Sequence, residues 1–231
     1  MQGDLEDALA RVLGTPVELT VAGRTDAGVH AVGQVVSVPG VPDDTDVVKL
    51  RDSLNSMCGP SIVISGCDRA PDAFNARFDA RSRTYVYALL TGDPSDPWLA
   101  RTAWHHPEPL AVDAISEAAG HLVGRQDFTS FGRLPEPEAT GVRTLFELSI
   151  TEVGKILRIR AHADAFIQQM VRSLVGTLVA VGEGKRAPGD MPAVLRARDR
   201  SAAGPVAPPH GLCLVSVEYE TGWSRPFDPF E

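Results

Sequence analysis

The hydrophobic positions in the first third of the chain follow helical and strand periods in turn. Apolar residues from Leu5 to Leu13 recur at i, i+4, i+7 and i+8, which predicts an amphipathic helix that ends before Gly14. A second helical period follows a possible Asp46 cap, and short runs rich in β-branched residues separate the two helices. The predicted elements are a helix over 2–13, strands over 17–22 and 34–38, a helix over 47–57 and a strand over 62–67.

The remaining chain begins with Thr84–Leu90, where β-branched and aromatic residues predict a strand with Tyr85, Tyr87 and Leu89 on one face. Gly154-Lys155 lies between two alternating runs and predicts a hairpin turn. The predicted elements are a strand over 84–90, a helix over 112–122, strands over 145–153 and 156–161, helices over 166–181 and 192–198, and a strand over 212–220.

The order of these elements predicts the fold class. The second half has the β-α-β-β-α-β order of the ferredoxin-like split unit, and the first half has the same order without its opening strand. We therefore predict an α+β protein of two tandem ferredoxin-like halves with antiparallel sheets, over 1–79 and 80–231. Because the opening strand lies in the middle of such a sheet, its absence would leave two neighbouring strands with unpaired edges.

Composition narrows the class of protein. With 231 residues, 43% hydrophobic and 23% charged, the chain is typical of a globular protein rather than of a disordered, collagen-like or disulfide-rich one. No apolar run approaches the ~20 residues of a membrane span, and the start lacks the features of a signal peptide, so we predict a cytoplasmic protein without membrane association. The net charge of -8 argues against a broad nucleic-acid footprint but does not exclude a local basic groove.

One carboxylate, Asp26, lies between Gly23 and Gly28 in a loop between two predicted strands, close to Arg24. The loop has two interpretations. It is a simple turn, in which Asp and Gly are common, or it is a site where glycines allow a ligand to approach the backbone while Arg24 or another cation keeps Asp26 ionised.

Arg172 lies in the predicted helix over 166–181, in which apolar residues occupy most faces. A buried guanidinium requires an anionic partner. Arg172 pairs with a structural acid, faces a site that holds Asp26 or a phosphate, or extends its guanidinium to the surface. The sequence pattern leaves these three alternatives open.

Two further segments have both a functional and a structural interpretation. The segment 74–85 interleaves arginines, among them Arg77, with aromatic residues and leads to Tyr85, so it either holds phosphates and stacks on a base or is an exposed loop with core phenylalanines. The segment 127–131, which contains Phe128, is either a pocket wall or a packed loop. We predict no metal site, because the histidines lack ligand spacing, and no nucleoside triphosphate site, because 182–186 lacks the P-loop pattern.

Five segments in order along the chain resemble the tRNA pseudouridine synthase A family. They are Gly23-Arg24-Thr25-Asp26-Ala27-Gly28-Val29-His30-Ala31, Phe74-Asn75-Ala76-Arg77-Phe78, Arg83-Thr84-Tyr85-Val86-Tyr87, Gly124-Arg125-Gln126-Asp127-Phe128-Thr129-Ser130-Phe131 and Met170-Val171-Arg172. The tandem ferredoxin-like architecture of that family agrees with the predicted element order.

The resemblance implies the reaction and the roles of the residues. Uridines 38, 39 and 40 of the tRNA anticodon arm would be isomerised to pseudouridine by a homodimer without a cofactor or metal. Asp26 would be the nucleophile, Arg172 would pair with it and keep it ionised, and Tyr85 would stack on the extruded uracil. Arg24 would assist at the site and hold the flipped nucleotide, and Arg77 and Phe128 would complete the substrate-binding residues.

The chain departs from the family pattern at two points. Asp164 stands where the family usually has Asn, and the chain begins Met1-Gln2-Gly3 without the usual opening strand. Met1 stands where the family has Val. We hypothesise that an internal GTG codon, which encodes Val within a longer protein, was taken as the start codon and was therefore read as Met1.

The alternative function is an N-terminally truncated, non-catalytic tRNA-binding protein of the same fold. A third hypothesis, an aspartate-nucleophile phosphatase, lacks the second acid and the magnesium site that such enzymes use.

Overall fold

The computed structural model describes residues 1–136 and 138–220 and shows a mixed α+β protein. The helices are α1 (Gln2–Leu13), α2 (Val47–Cys58), α3 (Val112–Gly120), α4 (Met170–Gly182) and α5 (Met191–Ala197). The strands are β1 (Thr20–Val21), β2 (His30–Ala31), β3 (Val36–Ser37), β4 (Ala80–Thr91), β5 (Trp104–His106), β6 (Gly124–Asp127), β7 (Val142–Val153), β8 (Ile156–Ala163) and β9 (Leu212–Tyr219).

The chain forms two compact units, which do not follow a single cut in the sequence. The first unit contains Met1–Arg24 and Val35–Ala80, and the second contains Thr25–Gln34 together with the chain from Arg81 onward. The loop that contains Asp26 therefore belongs to the second unit by its contacts. Among the residues that the structure describes, no helix has the length and apolar character that a bilayer crossing requires.

The first unit is built from α1 and α2 and a two-stranded antiparallel sheet of β1 and β3. Leu5 and Leu9 of α1 pack with Leu50 and Leu54 of α2 in its core. Asp46 caps α2 by accepting hydrogen bonds from the backbone N–H groups of Val48 and Lys49, which confirms the predicted cap.

The strand predicted over 62–67 is absent, and this prediction was wrong. The alternating apolar residues Ile62, Ile64 and Cys67 pack against the core of the first unit, but the backbone pairs with a side chain instead of a strand. Asn55 Oδ1 accepts from Ile64 N at 2.6 Å, and Asn55 Nδ2 donates to Ile64 O at 3.0 Å. The strands predicted over 17–22 and 34–38 are each reduced to two residues, β1 and β3.

The second unit contains a mixed sheet with the strand order β2-β9-β4-β8-β7-β6, and β5 pairs with β4. The predicted strands over 84–90, 145–153 and 156–161 correspond to the longer β4, β7 and β8. The predicted hairpin joins β7 to β8, and β8 also pairs antiparallel with β4. The prediction of antiparallel sheets was incomplete, because β2 pairs with β9 and β5 with β4 in parallel. The short strands β2, β5 and β6 were not predicted.

Helix α4 lies almost wholly in the core of the second unit and begins later than the predicted residue 166. Gln168 O accepts a hydrogen bond from Arg133 N, and Gln169 adopts a left-handed conformation with φ of 65° immediately before the helix. A non-glycine residue in this region is uncommon, so packing on both sides must hold the turn. The turn fixes the direction in which the first helical residues, including Arg172, leave the sheet.

Candidate active site

The Asp26 loop is held against the edge of the second unit's sheet. Gly28 has φ of 86° in a turn that the Val29 N to Asp26 O hydrogen bond closes at 3.0 Å. The next residues form β2, in which His30 is opposite Cys213 of β9.

The loop then passes directly over the backbone of β9. A Cβ atom at Gly33 would overlap with the carbonyl oxygen of Val215, so only glycine fits where Gly33 crosses that strand. At the other end of β2, His30 Nε2 lies 2.8 Å from Arg101 O. These contacts fix the loop at both ends of β2, close to the position of Asp26.

Arg172 forms an ion pair with Asp26. Its Nη1 donates to Asp26 Oδ2 at 2.6 Å, and its Nε donates to Ala207 O at 2.8 Å. The side chains of Arg172 and Asp26 are 13% and 25% exposed, respectively, so the pair is shielded without being closed to solvent. The contact that the resemblance implies is therefore present, and it supplies the anionic partner that a largely buried arginine requires.

The position of Arg172 depends on close packing between α4 and the segment 203–207. A Cβ at Gly176 would overlap with Pro205 O, so the absence of a side chain at Gly176 permits this close approach. Thr177 Oγ1 accepts from Gly204 N at 2.9 Å and donates to Ser173 O at 2.7 Å. The segment therefore lies directly on the helix and presents Ala207 O to Arg172.

Tyr85 lies in β4, a central strand, with only 7% of its surface exposed. Its ring meets Phe166 edge to face at a centroid distance of 5.2 Å. Burial raises the pKa of the Tyr85 phenol to about 12; Arg83 opposes that increase and the carboxylate of Asp26 adds to it. The phenol is consequently neutral at physiological pH and lies within electrostatic range of Asp26.

Asp164 stabilises the connection between β8 and α4 on which Phe166 lies. Its Oδ1 accepts from Thr144 N at 3.0 Å and from Ala165 N at 2.6 Å, and its carbonyl accepts from Arg83 Nη1 at 3.0 Å. An asparagine side-chain oxygen can accept the same two bonds, so Asp164 and the Asn that the resemblance implies are equivalent in this role. Neither periodicity nor composition indicated this role of Asp164.

Phe128 is completely buried and packs against Phe131 at a centroid distance of 6.2 Å. The structure thus favours the packed-loop interpretation, since the side chain presents no surface to a substrate. The neighbouring Asp127 accepts two hydrogen bonds from Thr129 and pairs with Arg198 at 2.8 Å. Burial raises the pKa of Asp127, but the bonds from Thr129 and the charge of Arg198 outweigh that effect and lower the pKa overall.

Arg24 and Arg77 belong to the first unit, whereas Asp26, Tyr85, Phe128 and Arg172 belong to the second. Both arginine side chains are exposed. The guanidinium of Arg77 lies over the ring of Phe78 at 5.4 Å, and Phe78 is itself 76% exposed. Their assignment as substrate-binding residues stays a prediction.

The second unit thus brings together a guanidinium-paired carboxylate, a neutral phenol and a partly open surface. A carboxylate that a guanidinium pairs with and orients is suited to nucleophilic attack or to electrostatic stabilisation. The backbone carbonyl of Ala207 also contributes to the site by accepting from Arg172, a role that no side-chain pattern in the sequence indicates.

Comparison with known proteins identifies the family. The profile of the tRNA pseudouridine synthase family matches residues 118–220. The tRNA pseudouridine synthase A of Allorhizobium ampelinum is 42% identical over 231 residues, which cover 98% of this chain and 89% of that protein. The tRNA pseudouridine synthase A of Frankia casuarinae is 47% identical over 224 residues, or 95% of this chain and 80% of that protein. Similarity at this level along nearly the whole chain confirms the resemblance found in the sequence motifs, and the chain belongs to the tRNA pseudouridine synthase A family.

Proposed function

We propose that this protein isomerises uridine to pseudouridine at positions 38, 39 and 40 of the tRNA anticodon stem-loop, with Asp26 as the nucleophile. The observation that supports this most directly is the 2.6 Å ion pair between Asp26 and Arg172. The names of the relatives, tRNA pseudouridine synthase A, support tRNA as the substrate.

The proposed reaction requires one bond to be exchanged for another. The N1–C1′ bond of the uridine breaks, the base turns, and a C5–C1′ bond forms; a proton leaves C5 and N1 gains one. There is no net oxidation or reduction, so the reaction itself requires no redox cofactor. Asp26 attacks either the base or the sugar, and the ion pair with Arg172 orients its carboxylate in both schemes.

Tyr85 is proposed to contact the extruded uracil. Flipping a nucleotide out of a stem costs a few kcal/mol, which stacking and polar contacts at the site must offset. The edge-to-face contact with Phe166 holds the Tyr85 ring, and the raised pKa keeps its hydroxyl as a donor. Tyr85 therefore provides a neutral aromatic surface beside a charged carboxylate.

The tRNA backbone is proposed to contact arginines, with Arg24 holding the flipped nucleotide and Arg77 a phosphate. Two other arginines already have partners within the protein. Arg81 pairs with Glu220 at 3.0 Å, and Arg143 donates to the carbonyls of Thr140 and Val142. Because phosphate contacts release counterions, binding is expected to weaken strongly with salt. Phe128 is proposed to support the fold of its loop and not to contact RNA.

The finer architecture is part of the same proposal. In the second unit, the order β9-β4-β8-β7 is the strand order of a ferredoxin-like β-α-β-β-α-β unit, to which β2, β5 and β6 are added. We propose that the chain consists of two related halves, 1–79 and 80–231, and acts in the cytoplasm as a homodimer on tRNA.

Asp26→Asn tests the proposed function, because it retains the size of the side chain and removes its charge. With an anticodon stem-loop that contains uridines at 38, 39 and 40, pseudouridine formation per folded enzyme is expected to fall at least ~1000-fold, while RNA affinity changes little. Because Arg172 loses its anionic partner, the variant should also be less stable by up to about 3 kcal/mol, so both proteins are compared well below their melting temperatures. Asp113→Asn, an exposed carboxylate in α3, is the matched control and should retain full activity. Binding without turnover by the unmodified chain would instead support the alternative, a non-catalytic tRNA-binding protein.

A further inference from the structure

The short segment Ala207–Pro209 contacts Arg172 and the turn that contains Asp26. Ala207 O accepts from Arg172 Nε at 2.8 Å, and Ala207 N donates to Arg172 O at 3.0 Å. Pro209 lies against the turn of the Asp26 loop, where a Cβ at Gly28 would be 3.1 Å from Pro209 Cγ. A shift of this segment would therefore displace Arg172 and the Asp26 turn together.

The middle residue of the segment is held by Tyr87. The Tyr87 hydroxyl donates to Pro208 O at 2.8 Å. This residue is two positions after Tyr85 on β4 and is completely buried. Burial raises the pKa of the Tyr87 phenol, so the hydroxyl keeps its proton and remains a hydrogen-bond donor to Pro208 O.

The ring of Tyr87 has little freedom to move. Trp104 packs edge to face against it at 6.3 Å, and a Cβ at Gly211 would lie 2.7 Å from the ring. Gly211 thus permits the backbone to pass close beside the ring. A fixed ring gives the hydroxyl, and hence Pro208 O, a fixed position.

We propose that Tyr87 is a positioning residue for the isomerisation, because its hydroxyl fixes the Ala207–Pro209 segment that orients Arg172 toward Asp26. This inference rests on the proposed function, in which Asp26 is the nucleophile. Since Pro208 and Ala207 are adjacent, loss of the Tyr87 hydrogen bond frees the carbonyl next to the one that Arg172 uses. A displacement of reacting groups by a fraction of an ångström slows a reaction without weakening substrate binding to the same degree.

Tyr87→Phe removes the hydroxyl and keeps the contacts of the ring with Trp104. We expect kcat per folded enzyme on an anticodon stem-loop to fall about tenfold, with KM unchanged within about twofold, as suits the loss of one neutral hydrogen bond. Thr91→Val is the control on the same strand, because the Thr91 hydroxyl also donates to a carbonyl, Lys155 O at 3.0 Å. It is expected to keep the wild-type kcat.

A second measurement does not depend on turnover. In protein with ¹⁵N-labelled arginine, the Nε–H resonance of Arg172 can be assigned by its disappearance in Arg172→Lys. Its exchange with water is expected to be about tenfold faster in Tyr87→Phe than in wild type or Thr91→Val. If Tyr87→Phe does not fold, Gly211→Ala, which retains the hydroxyl but crowds the ring, is expected to accelerate the same exchange.

Unchanged kcat in folded Tyr87→Phe would overturn the proposal. A lower kcat with unchanged Arg172 Nε–H exchange would overturn it as well, because Tyr87 would then act by a route other than Arg172. Full activity in Asp26→Asn would instead refute the nucleophile assignment, and the exchange measurement would still test the coupling of Tyr87 to Arg172.

Discussion

The two units maintain their backbones in different ways. In the second unit, β4 and β7 are twelve residues long and β8 is eight, and all three pair side by side in one sheet. In the first unit, β1 and β3 are two residues long, and the segment near Ile64 is held by the Asn55 side chain. Many backbone hydrogen bonds hold each long strand, so no single substitution removes them all. The hydrogen bonds that Asn55 makes to Ile64 can be removed by one substitution.

The Asp26–Arg172 pair lies entirely in the unit with the long strands. Asp26 precedes most of the first unit in sequence, yet its loop joins the second unit through the pairing of β2 with β9. The comparison indicates that the sheet of the second unit positions the candidate catalytic groups. The Asp26 loop belongs to this unit because its strand β2 lies at the edge of that sheet. Substitutions can test both parts of this interpretation.

The largest effect is expected at Arg172, where one side chain serves both Asp26 and Ala207. Arg172→Met should lower kcat on the order of 10²–10³-fold and reduce stability by about 3 kcal/mol, because a partly buried carboxylate loses its partner. Arg172→Lys should retain more activity, since an ammonium group can hold Asp26 but lacks the planar fork that also reaches Ala207 O. Single-turnover kinetics and urea unfolding measure the two effects. Equal losses in both variants would show that a positive charge alone is not sufficient and that the planar fork is required. Wild-type activity in Arg172→Lys would show that the charge alone matters.

Gly33 tests whether the pairing of β2 with β9 holds the Asp26 loop. Gly33→Ala places a methyl group against Val215 O and should destabilise the second unit by about 2–3 kcal/mol while lowering activity. Gly120→Ala is the control, because a Cβ there meets nothing within 4 Å, and it should stay within about 1 kcal/mol of wild type. Thermal unfolding and pseudouridine assays of both variants provide the measurement. Wild-type activity in a destabilised Gly33→Ala would contradict a role for this crossing in positioning Asp26.

Asn55 tests how far one side chain holds residues 62–67 in the first unit. Asn55→Ala removes the bonds to Ile64 N and O and should cost about 1–2 kcal/mol, with faster hydrogen exchange in residues 62–67. Asp52→Ala, an exposed position on the same helix, should leave that exchange unchanged. Mass-spectrometric hydrogen exchange distinguishes the variants. Unchanged exchange in Asn55→Ala would mean that the packing of Ile62, Ile64 and Cys67 suffices to hold the segment.

The same contrast explains which elements the sequence could predict. Helices α1 and α2 have local signals, an apolar period, the Asp46 cap and Gly14, and their predicted bounds agree with the structure to within a residue. The strand over 62–67 failed because its alternation reports burial, while the partner of its backbone is a side chain at Asn55. The short strand β2 exists only through its pairing with β9, about 180 residues away, and two residues cannot show a period.

The site was predictable to the extent that its chemistry depends on residue type. A buried arginine in an apolar helix requires an anion, but helical spacing could not select Asp26 from the other acids; the resemblance to the family did so. The Ala207 carbonyl, the Gln169 turn and the Tyr87 hydroxyl depend on contacts between distant segments. Those contacts arise from tertiary packing and have no local pattern in the sequence.

The smallest expected effect concerns Asp127, and it measures how much charge pairing adds to a unit that its sheet already stabilises. Because the pKa of folded Asp127 lies below its unfolded value of about 3.9, its contribution is complete above that pH and is lost as the pH falls through the folded pKa. Asp127→Asn should therefore be less stable than wild type at pH 6 by about 1 kcal/mol or less, and the difference should shrink toward pH 3. Thr129→Val, which removes only the 2.6 Å hydroxyl bond, should lie between the two. Urea midpoints at both pH values provide the test. A difference that stays constant with pH would assign the effect of Asp127→Asn to lost packing and not to the ionised carboxylate.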